Sequence, residues 1–195
     1  MRKSHLIVPA EETGYVLSPK HSYFAVVIPC DTVNLCANPE CADTTGYVGI
    51  SATIASSATR QRRGARSLLV TPSATPGGVR YNLTADLATG KHYTFSVDVF
   101  GQGRFAIYFG NSSGVRVGPE TAFVAPGFWN RYAVTLFIAA GVSVRSLVVV
   151  SLDGNAFYAD GFQCEQKPYA TTFVSGNLEA QTDTSAPGRL SYGWM

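Results

Sequence analysis

Charge is scarce in this chain of 195 residues: only 14% are Asp, Glu, Lys or Arg, and the formal net charge is +2. So even a balance excludes the broad basic face that nucleic-acid binding needs. One local exception is the cluster Arg60, Gln61, Arg62, Arg63 and Arg66, which reads as a solvated loop or a contact with an acidic neighbouring subunit. Long apolar runs are missing too. None approaches the roughly 20 residues that cross a bilayer as a helix, so no membrane insertion is expected. The opening MRKSHLIVPAEETGY starts with basic residues, but its apolar part stops after Leu6, Ile7 and Val8 at Pro9 and two glutamates. That is not a signal-peptide pattern, and it predicts a protein kept in the cytoplasm until lysis or another non-secretory release.

Histidine is equally sparse. His5, His21 and His92 are scattered, and none adjoins a Ser or Cys in a nucleophile elbow. HExxH, P-loop and GxGxxG motifs are absent. No enzyme is therefore expected. Thirteen acidic residues would form some close carboxylate pair by chance, so such a pair would not by itself signal glycoside hydrolysis. Four cysteines, Cys30, Cys36, Cys41 and Cys164, lack the paired CxxC spacing of a zinc site. Cys164 alternates with polar neighbours as a core-facing strand residue would, and buried free thiols are the expectation for a protein made in a reducing compartment.

What the chain has is β chemistry. Hydrophobic residues make up 46% and aromatics 12%, with 19 glycines and 10 prolines, a balance that favours short strands and turns over charge-laced helices. Turn signals such as Asn38-Pro39, Thr89-Gly90, Gly101-Gln102-Gly103, Gly110-Asn111, Pro126-Gly127 and Asp153-Gly154 interrupt the chain about every ten residues. Between them the pattern alternates. In His92 to Phe100, Tyr93, Phe95, Val97 and Val99 share one face, the mark of a half-buried strand. Segments 104–110 and 131–138 repeat it, and 144–152, almost wholly apolar, reads as a strand covered on both faces.

No segment keeps a 3.6-residue period, so at most a helical turn or two is expected. The length suits one main domain. Eight or so strands without βαβ alternation predict an all-β fold, a two-sheet antiparallel β-sandwich. A jelly roll is the first choice and an immunoglobulin-like sandwich the alternative, though the Cys, Trp, Cys spacing of a true immunoglobulin domain is missing. Residues 1–30, punctuated by Pro9, Gly14, Pro19 and Pro29, read as an N-terminal arm or attachment segment. The sandwich takes 31–174, and 175–195 a C-terminal extension whose Tyr192 and Trp194 suit docking onto a partner.

Four segments in order carry a likeness: Asn34-Leu35-Cys36-Ala37-Asn38-Pro39-Glu40 with Thr44-Thr45-Gly46-Tyr47; Gly64-Ala65-Arg66-Ser67-Leu68-Leu69-Val70-Thr71-Pro72; Phe128-Trp129-Asn130-Arg131-Tyr132; and Phe157-Tyr158-Ala159-Asp160-Gly161-Phe162-Gln163-Cys164-Glu165. Together, over about 34–174, they resemble the carbohydrate-binding-module-like jelly-roll domains of bacteriophage tail and virion proteins. That resemblance implies a virion structural protein, assembled in the host cytoplasm and tail-associated, serving particle assembly or decoration and host-surface glycan adhesion. Other virion proteins and a homo-oligomer are the partners it implies. A carbohydrate-binding module of a secreted glycoside hydrolase is the alternative.

The likeness also bears on metal. Sugar-binding relatives use a carboxylate just after the Asn-Pro pair, with an aspartate in the final strand, to hold a structural calcium. Here Cys41-Ala42 stand at the first place and only Asp160 remains, a thin set for a hard cation that wants several oxygens. No cofactor is the expectation, and Asp160 doubles as a strand-capping aspartate. A sugar site needs exposed aromatic faces flanked by polar partners for the hydroxyls. Read as the polar face of one 92–110 hairpin, Asp98, Phe100, Arg104 and Tyr108 are the glycan-binding candidates, with Arg80 and Asn82 one strand away; the alternative is that Phe100 and Tyr108 merely cover a sheet. Trp129 is expected to be partly buried at a strand start.

Overall fold

A computed structural model describes residues 32–175, together with the backbone of two short strands before them. The chain divides into two compact units, Met1–Thr32 with Leu178–Met195, and Val33–Asn177. In the first, β1 (Val16–Leu17) pairs antiparallel with β2 (Phe24–Ala25). The expected attachment roles of the arm and the tail, including Tyr192 and Trp194, fall outside the described residues.

The second unit is a sandwich of two antiparallel five-stranded sheets. Its strands are β3 (Tyr47–Ile50), β4 (Ala52–Ser57), β5 (Ser67–Pro72), β6 (Gly77–Asn82) and β7 (His92–Phe100). They continue with β8 (Gln102–Gly110), β9 (Arg116–Pro126), β10 (Asn130–Phe137), β11 (Ser146–Ser151) and β12 (Phe157–Glu165). One sheet runs β10-β7-β12-β5-β4 and the other β3-β6-β11-β8-β9. No helix occurs among the described residues. The jelly-roll sandwich expected from alternation is thus the fold.

Period-two patterning decides what each strand buries. Tyr93, Phe95, Val97 and Val99 of β7 point into the core opposite Phe105, Ile107 and Phe109 of β8 and Leu147 and Val149 of β11. Phe95 is fully buried; its ring stacks on Phe162 at 5.9 Å and meets Phe109 of the other sheet edge-on at 6.2 Å. Burying such a ring contributes roughly 2–3 kcal/mol, plus about 1 kcal/mol for each well-placed aromatic pair. Strand β11 is buried at every position, as its continuous apolar run predicts. Cys36, Cys41 and Cys164 are buried free thiols, and burial raises the pKa of all three.

The 92–110 segment is not a hairpin. Gly101 carries the chain from β7 in one sheet to β8 in the other, and a Cβ there would lie 2.9 Å from the Phe105 ring and 3.0 Å from Phe157 Cβ. The alternation within each strand was visible in sequence, but pairing depends on partners far along the chain: β7 bonds to β10 and β12, β8 to β9 and β11. The basic cluster is also not a uniformly solvated loop. Arg63 turns inward to a buried aspartate and Arg66 binds Ser56, while Arg60 and Arg62 stay exposed.

Candidate functional site

The two outer faces of the sandwich differ in chemistry, one polar and the other apolar along its middle. Outward side chains of β7 and β12 should meet water, yet Thr94, Ser96, Asp98, Asp160, Gln163 and Glu165 are all buried. Two segments of the chain's own backbone lie over them. The loop before β5 donates Arg62 N–H and Arg63 N–H to Asp160 Oδ2, each at 2.7 Å. The segment after β12 is held by Thr94 Oγ1 to the Lys167 carbonyl (2.8 Å), Thr171 N–H to Glu165 Oε1 (2.8 Å) and Val174 N–H to Gln163 Oε1 (3.0 Å).

At the centre lies Asp98, 2% exposed, whose Oδ2 accepts from Arg63 Nε at 3.0 Å and Arg131 Nη1 at 2.9 Å. Arg131 also reaches the Gly161 carbonyl and Ser96 Oγ, and both guanidiniums stand over the Phe173 ring. Burial lowers the Arg131 pKa, and the Asp98 charge works against that. A bulge between Asp160 and Gln163 makes the close approach of β12 to β7 workable. Gly161 sits in it at φ +59°, where a Cβ would fall 2.7 Å from Asp98 Oδ2, so only glycine fits.

The same geometry bears on calcium. Asp160 Oδ2 accepts two amide N–H groups and Oδ1 accepts Gly161 N–H at 2.7 Å. Its carboxyl is turned toward donors, with guanidiniums nearby, and no group of three or more His, Cys, Asp or Glu suited to a metal occurs among the described residues. Ala42 supplies no side-chain oxygen. These residues do not fit a hard cation.

The other outer face is apolar along its middle, where Ala106, Val148 and Val150 are buried, and reaches solvent at its edges, at Val48, Arg104, Glu120, Ala122 and Val124. By register, Ile50, Gly78, Val150, Ala106 and Ala122 line up across β3, β6, β11, β8 and β9, beside a row of Val48, Arg80, Val148, Tyr108 and Glu120. Ala106, Val148 and Val150 form a small apolar cluster of their own, packed by Ile50, Tyr108 and Leu152. Three of the five residues in the first row, Gly78, Ala106 and Ala122, are small. At Gly78 a Cβ would lie 2.1 Å from the Val149 carbonyl oxygen. Around Ala106 and Ala122 the strip is a shallow trough, with the larger Tyr108 side chain in the neighbouring row.

The trough has exposed apolar rims at Val48 (39%) and Val124 (69%). Arg80 Nη1 donates to the Ser112 carbonyl at 3.0 Å, while its buried Nε has no hydrogen-bond partner among the described residues. Tyr108 is half-buried beside Glu120, and burial first, then that charge, raises its phenol pKa.

The six glycan candidates therefore separate. Arg80, Asn82, Arg104 and Tyr108 share the outer face of the β3-β6-β11-β8-β9 sheet, with Arg104 tied to Asp153 at 2.8 Å. Asp98 and Phe100 belong to the opposite sheet. Asp98 is locked in its ion pairs, and Phe100 packs edge-on against Trp129 (5.7 Å) and Tyr158 (6.2 Å). Trp129 is partly buried, as expected. Sequence reasoning missed the small-residue row, although Gly78, Ala106 and Ala122 stood in strands otherwise rich in bulky side chains.

No protein-family model matches the chain, and the comparison with curated proteins returned no match. Solved structures do share its architecture. The CBM22-1 xylan-binding domain from Paenibacillus barcinonensis Xyn10C superposes with TM-score 0.52 at 18% identity, covering 72% of this chain and 96% of that domain. The CBM22-1-GH10 modules of a Clostridium thermocellum endo-1,4-beta-D-xylanase, complexed with xylohexaose, give TM-score 0.56 at 15% identity, over 74% of this chain and 30% of theirs. The enzymatically active domain of bacteriophage CBA120 tailspike protein 4 gives 0.54 at 10%, over 69% of this chain and 22% of its own length. At such identities the likeness is one of fold: the chain is a jelly-roll β-sandwich of the kind that carbohydrate-binding modules also adopt.

Proposed function

We propose that this protein binds a glycan chain, without turnover, in the trough across β3, β6, β11, β8 and β9. One observation carries the reading: the outer face of one sheet is closed by hydrogen-bonded segments of the chain, while the other presents half-buried Tyr108 and Arg80 beside an apolar strip that is exposed at its β9 end, at Ala122 and Val124. Stacking of pyranose C–H groups on Tyr108, and hydroxyl contacts to Arg80, Asn82 and Arg104, are the chemistry such a face offers. Likeness of fold to a xylan-binding domain supports it, as an analogy of architecture.

The setting we propose is a bacteriophage virion, where many copies would add weak contacts through avidity. Its support is the four-motif sequence resemblance and the tailspike likeness. A module of a secreted glycoside hydrolase draws about equal support from the match to nearly the whole xylan-binding domain. Antibody against the sandwich that labels particles from the source culture supports the virion; label confined to secreted hydrolase supports the module. Binding itself is tested by a glycan array of the full chain beside Tyr108→Ala. Signal lost in the variant is expected, and an array blank for the wild type contradicts the proposal.

A further inference from the structure

Where β7 gives way to β8, a cleft of about 480 Å³ opens at one end of the sandwich, lined by Phe100, Gly101, Gln102, Gly127, Asn155 and Tyr158, among others. It is within the usual size of small-ligand sites, roughly 300–1,000 Å³. It lies apart from the trough: Phe100 and Tyr158 are cross-strand neighbours on the opposite sheet. We propose that this cleft is a second sugar site, specific for a carboxylate-bearing sugar unit such as a uronate or sialate. The proposal rests on the reading of the chain as a glycan binder.

Three features carry it. The first is aromatic: Tyr158 and Trp129 each meet Phe100 edge-on and all three are only partly buried, and since Arg60 lies over the Phe100 face it is Tyr158 that offers the cleft ring surface for pyranose C–H contact. The second is amide chemistry. Asn155 is fixed by donating Nδ2 to the Gln102 carbonyl at 2.9 Å and its own N–H to Ser151 Oγ at 2.9 Å, which leaves Oδ1 to accept from a hydroxyl. The Gln102 side-chain amide is exposed and has no hydrogen-bond partner among the described residues.

The third is charge. Arg60 is exposed, and its Cζ lies 4.2 Å over the centroid of Phe100, a cation–π contact that leaves guanidinium N–H groups for a further partner. Among the described residues, the arginines in ion pairs are Arg63, Arg104, Arg116 and Arg131. Arg60, over the lining residue Phe100, thus stands beside the cleft without a carboxylate. The nearest acid of the adjoining turn, Asp153, is already taken by Arg104 through backbone and side chain. A stacked guanidinium with a free fork recognises a carboxylate in bidentate fashion. A neutral sugar gives it no such partner.

The test is titration calorimetry of the full chain with oligosaccharides carrying galacturonate, glucuronate or sialate, each beside its neutral counterpart, at low and high salt. At least one acidic probe is expected to bind tenfold or more tightly than its counterpart, with the advantage shrinking as salt rises. Arg60→Gln, an exposed change, should erase the preference and leave neutral binding as it was. Tyr158→Ala should weaken the acidic probe, and Tyr108→Ala should not. No acid preference in any pair, or a preference that survives Arg60→Gln, overturns the proposal. Acid binding lost in Tyr108→Ala and kept in Tyr158→Ala moves the site to the trough: the cleft proposal then fails while glycan binding stands. Acid binding that depends on Arg60 and Tyr158 in a chain with no Tyr108-dependent binding upholds the cleft and sinks the trough.

Discussion

Arg131 and Asp98 stand directly opposite each other across β10 and β7, and Arg131 Nη1 meets Asp98 Oδ2 at 2.9 Å in a place where the aspartate is 2% exposed. Arg63, arriving from the loop before β5, shares the same oxygen. Removing the carboxylate would leave two guanidiniums partly buried without their counter-charge. Asp98→Ala should therefore lower the unfolding free energy by about 3 kcal/mol, as breaking a buried pair from one side does. Urea denaturation measures it; a loss below about 0.5 kcal/mol would mean water screens this cluster as it does a surface pair.

Asp160 gives the sandwich a pH dependence. Burial pushes its carboxyl up to about 6, against the lowering effect of the amides of Arg63, Arg62 and Gly161, and the nearby Asp98 charge adds to the rise. With the folded pKa above an unfolded value of about 3.9, the folded state holds more protons between those limits. Its contribution is full below about pH 4 and is lost as pH rises through 6, on the order of 2 kcal/mol. Urea midpoints at pH 4.5 and 7 should show that fall in the wild type and a smaller one in Asp160→Asn. Equal slopes in the two proteins would assign the dependence to other groups.

Calcium should leave the melting temperature alone. Because Asp160 is already occupied by three N–H donors, neither millimolar calcium nor a chelator is expected to shift it by more than about 1 °C, since an ion that does not bind the native state cannot stabilise it. Differential scanning fluorimetry decides this. A rise of several degrees with calcium would show that the loop rearranges to offer carbonyl oxygens.

The thiols should be silent in the folded protein. Cys36, Cys41 and Cys164 are buried, and desolvation keeps each protonated well past neutrality, so a thiolate-seeking reagent finds none of them. Peptide mapping after labelling should show these three modified only in urea. Native labelling of Cys41 would mean that the turn around Pro39 opens.

The strands and the sandwich were legible because alternation is local: His92–Phe100 and Ser146–Ser151 declare their burial within nine residues or fewer. What covers a strand is not local. Asp98 reads in sequence as one more outward polar residue, and only the return of Arg63, 35 positions away, and Arg131, 33 positions away, makes it a buried centre. Phe100 and Tyr108 looked like companions on one hairpin, and the crossing at Gly101 sends them to different sheets. The end cleft gathers residues from three separate connections, which no spacing along the chain could announce.

The central claim is that the outer face of β3, β6, β11, β8 and β9, and not the one the chain closes over itself, meets the glycan. Amide and methyl chemical-shift mapping of the full chain with its best array ligand tests that directly. The account predicts perturbations that centre on Arg80, Ala106, Tyr108, Val148 and Val150. Perturbations centred on Arg63, Asp98 and Phe173, with those five unmoved, would contradict it.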